Sequence, residues 1–264
     1  MYKLYNILHG FFMDKKGGET FTLFSGWHFL FIGFTIITIA LVLLLLRNKG
    51  EKEKKMTTKV FIYIAFGLYM ADFFLMPLAY GEIDIEKLPF HACTAMCLMS
   101  FLSYHNKFLE KFRLSFALFG LLSNVVYLAY PAGVMWYAVH PTSYRAIQTL
   151  LFHSVMTIYG ILTLVTEHKS FDIKKSYRDI AVTVCMTVWA VIGSYVYSGN
   201  TEGYKRYFNW FFVIRDPLSW FPEDISPYIM PFINIAVFST VQMLAHLVIW
   251  LINRKQKTVA CVDN

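Results

Sequence analysis

Residues 27–46 read WHFLFIGFTIITIALVLLLL. These twenty positions carry no Asp, Glu, Lys or Arg, and the run stops at Arg47, the first residue of RNKGEKEKKMTTK (47–59). A helix rises about 1.5 Å per residue, so twenty residues reach about 30 Å, the thickness of bilayer hydrocarbon. Working outward, six further apolar runs follow: Val60 to Ala79, Leu88 to Tyr104, Arg113 to Tyr130, Ala146 to Thr166, Ile180 to Tyr197 and Ile229 to Ile252. The spacing predicts an all-α, polytopic membrane protein built as a bundle of seven transmembrane helices. The third, fourth and sixth runs are short or polar, so six spans plus one partial helix is the other count.

Composition agrees with that class. Of the 264 residues 57% are hydrophobic, 18% aromatic and 16% charged, with a mean hydropathy of +0.48. Soluble domains carry about 25% charged residues, and a disordered chain needs low hydrophobicity with high charge. Four cysteines and 14 glycines exclude a disulfide scaffold and a collagen-like chain. The net charge of +7 does not imply nucleic-acid binding, because Lys and Arg lie between the apolar runs and form no stripe.

The basic residues set an orientation. Sixteen of the 24 Lys and Arg fall in the loops after the first, third and fifth runs and in the C-terminal tail, and eight in the alternate set. Basic loops stay cytoplasmic, so the expected topology has the N-terminus outside and the C-terminus inside, in a cell membrane. Three segments are expected: an interfacial N-terminal segment over 1–26 with Tyr2, Tyr5, Phe11 and Phe12 at headgroup level, one transmembrane domain over 27–252, and a cytoplasmic tail over 253–264. The outer stretch Ser198 to Tyr228 is strongly aromatic (YKRYFNWFFVIRDPLSWF) and reads as interfacial.

Polar groups inside apolar runs are costly, which makes each a functional candidate. Asp72 lies about two-thirds of the way across the second run from the cytoplasmic side. His91 and Cys93 open the third from outside, Asn124 lies in the outer half of the fourth, and Gln148 and His153 in the outer half of the fifth. Asn234 lies near the outer end of the seventh, and Asn209, Arg215 and Asp216 sit in the aromatic loop. These positions share one leaflet, where a cavity open to the outside would be lined. Each also has a structural reading. Asp72 pairs with a neighbouring helix or reaches the outer interface, the amides Asn124, Gln148 and Asn234 act as interhelical glue, and Arg215 with Asp216 forms an interfacial ion pair or a headgroup contact. His153, about 12 Å deep, is too short to reach the interface. His246 lies near the cytoplasmic end and reads as structural. His9, His28 and His140 are weak candidates.

Cys93 and Cys97 share a helix face, with vectors too parallel for a disulfide. Cys185 is mid-span and Cys261 is in the tail. A free Cys is usually a small buried hydrophobe. Pro89 marks a helix start, however, and the positive end of the helix dipole there favours a thiolate at Cys93. His91 and Cys93, two residues apart, fall on different faces and make a poor metal site. No Gly-rich phosphate loop, GxSxG, HExxH, CxxC or carboxylate pair occurs, and neither cofactor nor metal is expected.

The run Leu88-Pro89-Phe90-His91-Ala92-Cys93, with the later Phe152-His153 and NWFFVIRDP (209–217), resembles the LP-x-H-x-C signature of bacterial YwaF-like integral membrane proteins. These are similar to the animal transmembrane protein 164 family. The resemblance covers roughly residues 20–252. That animal family is regarded as acyltransferases that move fatty acyl groups between phospholipids through a Cys and a His. The resemblance implies Cys93 as the acyl-accepting nucleophile and His153 or His91 as base. In the animal proteins the Cys lies just before the motif histidine, a place held here by Phe90. The expected function is thus a lipid-modifying acyltransferase acting on membrane phospholipid or fatty acyl substrate, with Asp72, Asn124, Gln148, Asn209 and Arg215 binding substrate. The rival class is a transporter or a ligand- or lipid-binding protein using the same polar residues.

Overall fold

The computed structural model describes residues 11–12, 19–80, 85–136, 138–201, 204–206 and 208–262; for 76, 78–80, 132, 136, 199–201, 204–206 and 255–262 only the backbone is described. Tyr2, Tyr5, His9 and the last two residues of the tail lie outside the described residues. The helices are α1 (Gly26–Leu46), α2 (Glu51–Tyr80), α3 (Ala92–Leu102), α4 (Lys107–Glu110), α5 (Arg113–Ala129), α6 (Ala132–Trp136), α7 (Tyr144–Glu167), α8 (Tyr177–Tyr197) and α9 (Ser226–Val262). A small antiparallel hairpin pairs β1 (Gly199–Thr201) with β2 (Tyr204–Arg206).

Among the described residues, six helical segments are long and apolar enough to cross a bilayer: Gly26–Leu46, Glu51–Leu75, Arg113–Met135, Tyr144–Ser170, Ile173–Tyr197 and Ser226–Arg254. The protein is therefore a multi-pass helical membrane protein. The third expected span differs. Leu88 to Tyr104 holds only the 11-residue α3, a rod of about 16 Å. Pro89 has no N–H and keeps Leu88 out of the helical region, so the helix starts late, at Ala92, with His91 as its N-cap. At the far end Ser103 Oγ donates to Ser100 O at 2.6 Å. Asn106 then restarts the chain, its Oδ1 accepting from Phe108 N and Leu109 N at 2.8 and 3.1 Å.

The chain divides into two compact units, Met1–Lys87 with Gly120–Leu162, and Leu88–Phe119 with Thr163–Asn264, two of the three boundaries falling inside α5 and α7. In the first unit α1 turns Phe29, Leu30, Phe34, Ile36, Ile37 and Leu41 outward, as a lipid-facing helix does. Its inner side is fixed by polar groups. His28 Nδ1 accepts from Phe24 N at 3.0 Å, so Nε2 carries the proton and donates to Leu128 O of α5 at 2.8 Å. Thr35 Oγ1 donates to Ser154 Oγ of α7 at 2.7 Å. Around these, Phe21, Leu128, Val134, Val139, Ala146 and Leu150 form a buried cluster. Residues 152–160 of α7 are all buried.

In the second unit α8 lies against α9. Gln242 Nε2 donates to Thr183 Oγ1 at 2.8 Å, and His246 meets Asp179. α3 reaches α8 through Phe90, which stacks on Trp189 at 4.7 Å. The approach depends on Gly193, since a Cβ there would lie 2.3 Å from Phe90 Cδ1.

Candidate functional site

The first unit holds two polar clusters. On α7, His153 is buried, and its Nδ1 lies 2.6 Å from Asn124 Oδ1 on α5. The Asn124 amide is oriented by its own helix, since Nδ2 donates to Gly120 O at 2.6 Å. A carbonyl cannot donate, so Oδ1 is the atom facing the imidazole and Nδ1 must carry the proton. That tautomer puts the ring's lone pair on Nε2. Tyr127, one turn along α5 from Asn124, stacks on the ring at 3.7 Å and 13°. The imidazole is thus fixed in position, plane and tautomer.

The second cluster centres on Asp72 of α2. Its Oδ2 pairs with Lys87 Nζ at 2.9 Å, and Tyr144 OH donates to Oδ1 at 3.1 Å. Asp72 is 4% exposed, so this charge is neutralised inside the protein. Gln148 Nε2 donates to Leu68 O at 2.9 Å, tying α7 to α2. Phe11 and Phe12 pack against the Tyr144 ring at 6.0 and 5.2 Å. His140 serves its own turn, with Nδ1 accepting from Thr142 N at 3.2 Å.

The second unit carries the Leu88-to-Cys93 motif. Phe90 is buried among Trp189, Trp210 and Tyr197, with ring centroids at 4.7, 4.8 and 5.6 Å. Trp189 Nε1 donates to Pro89 O at 2.7 Å and holds the turn. His91 and Cys93 are half-buried, Cys93 in the first turn of α3, where backbone N–H groups have no helical acceptor. Cys97, one turn on, is fully buried. Cys93, Cys97 and Cys185 form no disulfide.

The aromatic loop is built by two side chains. Asn209 Oδ1 accepts from Ile214 N and Arg215 N at 2.9 and 3.0 Å, while its Nδ2 donates to Arg215 O at 2.9 Å. Asp216 accepts from Leu218 N, Trp220 N and Phe221 N at 2.8, 2.6 and 3.1 Å. Desolvation opposes the charge, but the three N–H donors outweigh it and hold the Asp216 carboxyl below the usual carboxylate range. Phe211, Phe212 and Ser219 adopt positive φ of 53°, 53° and 55°, which these clamps sustain. Asn209 is a clamp of the loop. The cation of Arg215 meets Glu223 at 3.2 Å, whereas Asp216, expected to pair with it, caps the turn. Asn234 Nδ2 donates to Phe211 O at 2.7 Å, anchoring the loop on α9.

Sequence reading missed Asp179. Both it and His246 are buried, Nε2 lying 2.7 Å from Oδ2, and Phe171 packs on the imidazole at 4.7 Å. The contact lacks hydrogen-bond alignment, and neither carboxylate oxygen nor ring nitrogen has another hydrogen-bond partner among the described residues. Among the described residues no group of three His, Cys, Asp or Glu is placed to hold a metal.

Fold and site together define a multi-pass helical membrane protein with a tautomer-fixed histidine and a thiol at a helix start. It belongs to the TMEM164 family, whose family model matches residues 23–252. No curated protein and no solved structure matches the chain.

Proposed function

We propose that the protein is a phospholipid acyltransferase in which the Cys93 thiol accepts a fatty acyl group and His153 or His91 serves as base. The base takes the Sγ proton and the thiolate attacks the ester carbonyl. The bond from carbonyl to glycerol oxygen then breaks, and that oxygen recovers the proton, leaving an acyl thioester and a lysophospholipid. Attack by the hydroxyl of a second lysophospholipid reverses the sequence and returns the thiol. N–H groups in the first turn of α3 are suited to hold the oxyanion beside Cys93.

The observation that carries this reading is the buried bond between His153 Nδ1 and Asn124 Oδ1, 2.6 Å long. It leaves the lone pair on Nε2, the state that a general base needs. Membership of the family and the thiol at the start of α3 support it further. The transporter reading needs Asp72 available to a ligand, and Lys87 and Tyr144 already satisfy that carboxylate. Of the expected substrate contacts, Asn124 acts on His153, and the Asn209 amide is engaged in its own loop.

The basic loops argue for an N-terminus outside and a cytoplasmic C-terminus in the cell membrane. That orientation needs an odd number of passes, so Leu88 to Tyr104 completes a seventh as a composite of turn, α3 and turn. Purified protein in liposomes is expected to move a labelled acyl chain from phospholipid to lysophospholipid. Cys93→Ser and His153→Ala should each abolish transfer while the protein stays folded. Undiminished transfer by folded Cys93→Ser would overturn the mechanism.

A further inference from the structure

The second unit contains a cavity of about 470 Å³. Ala95, Met96 and Met99 of α3 form one wall, and Val182 and Met186 of α8 another. Phe108 and Phe112 stand at one end, Trp189 and Pro89 at the other. The lining is apolar throughout and runs from residue 181 to 189 of α8, about 12 Å along the helix. The cavity is open on the side of Phe108, Ala181, Cys185 and Trp189, which are exposed, so a lipid chain can enter it from the bilayer. Neither His91 nor Cys93 is among its lining residues, so the cavity is separate from the Cys93 chemistry.

Its origin lies in the short α3. At 11 residues the helix falls about 14 Å short of the hydrocarbon thickness, and the side of α8 next to it is left incompletely covered, with Ala181, Cys185 and Trp189 exposed. The end formed by Phe108 and Phe112 lies in a basic stretch. Lys107 and Lys111 flank these rings in NKFLEKF (106–112). Arg178 donates to Lys111 O at 2.8 Å and sits over the Phe112 ring at 6.0 Å. Nearby negative charge is engaged elsewhere, since Glu110 pairs with Arg113 at 2.8 Å.

We infer that this cavity holds one acyl chain of an anionic phospholipid from the leaflet facing the basic loops, with Lys107, Lys111 and Arg178 around its phosphate. This is a resident or regulatory lipid site. It does not depend on the acyl-transfer reading.

The test uses full-length protein in nanodiscs with phospholipids bearing a photoreactive acyl chain, either phosphatidylglycerol or phosphatidylcholine, and maps adducts by mass spectrometry. The expected result is labelling at Met96, Met99, Cys185 and Met186 at least fivefold stronger with the anionic probe. Lys107→Gln/Lys111→Gln/Arg178→Gln should remove that preference, and Ala181→Trp, which fills the cavity from an exposed position, should remove the labelling. Size-exclusion chromatography verifies that both variants are folded, and the headgroup comparison on unaltered protein stands without them. Equal labelling by the two headgroups in the unaltered protein would overturn the inference. So would labelling no stronger than on the lipid-facing side of α1, or labelling that persists in folded Ala181→Trp.

Discussion

Replacing Asn124 by Leu removes the acceptor of His153 Nδ1 with little change in volume. Asn124 is 0% and His153 3% exposed, so no water can take over the bond. A buried donor left without its acceptor costs about 1–3 kcal/mol. The loss of the Asn124-to-Gly120 bond adds little, because Gly120 O keeps its helical donor. The total should therefore fall near 2 kcal/mol, and for a chain of this size each kcal/mol moves the midpoint by roughly 2–4 °C. A drop of about 4–8 °C is expected in detergent, followed by the loss of monodisperse protein on heating. Removing both partners with shapes kept should be far less damaging. Asn124→Leu/His153→Phe, whose new ring keeps the Tyr127 stack, should recover more than half of the lost stability. Acyl transfer should be lost in both variants, since the first frees the tautomer and the second removes the base. A neutral Asn124→Leu, or a double variant whose loss is the sum of the single losses, would refute the pairing.

Three further outcomes follow from the geometry. Gly193→Ala pushes a Cβ to 2.3 Å from Phe90 Cδ1 and should cost about 1–3 kcal/mol of thermal stability, and a neutral result would place Phe90 elsewhere. His246→Leu strands the Asp179 carboxylate, 0% exposed, and should cost about 3–5 kcal/mol. Asp179→Leu/His246→Leu should recover most of that, and strict additivity in thermal melts would contradict the pair. The Asp216 carboxyl titrates below its unfolded value of about 3.9, so its clamp is present above that pH and is lost as pH falls through the folded value. Hydrogen-exchange protection at Leu218, Trp220 and Phe221, taken relative to the intrinsic rate at each pH, should hold from pH 8 to about 5 and fall only below about 4, whereas Asp216→Ala should lower it throughout that range.

Helices that carry uninterrupted apolar runs were legible. Trp27 to Leu46 became Gly26–Leu46, because nothing but Arg47 and the Ser25 cap bounds it. Leu88 to Tyr104 misled because hydropathy counts residues and not backbone. Pro89 at one end and the Ser103-to-Asn106 turn at the other leave 11 helical positions in a run of seventeen. His153 stood out because no length of side chain could bring it to water. Its partner could not be read, since the link between Asn124 and His153 joins positions 29 residues apart. Asp179 was hidden by the drawing of its span from Ile180, where a flanking acid in a first turn reads as ordinary dipole compensation. Asn209 stood out as a polar residue among aromatics and Asp216 as the neighbour of Arg215, and only backbone geometry reveals the bonds each makes within a loop of positive φ.

The central claim is tested most directly by treating purified protein with a fatty-acyl activity probe and mapping the adduct by mass spectrometry against Cys93→Ala. Acyl transfer through the thiol predicts a thioester on Cys93, absent from the variant and cleaved by hydroxylamine. Folded protein that forms no adduct on Cys93, or that is labelled equally in Cys93→Ala, would contradict it.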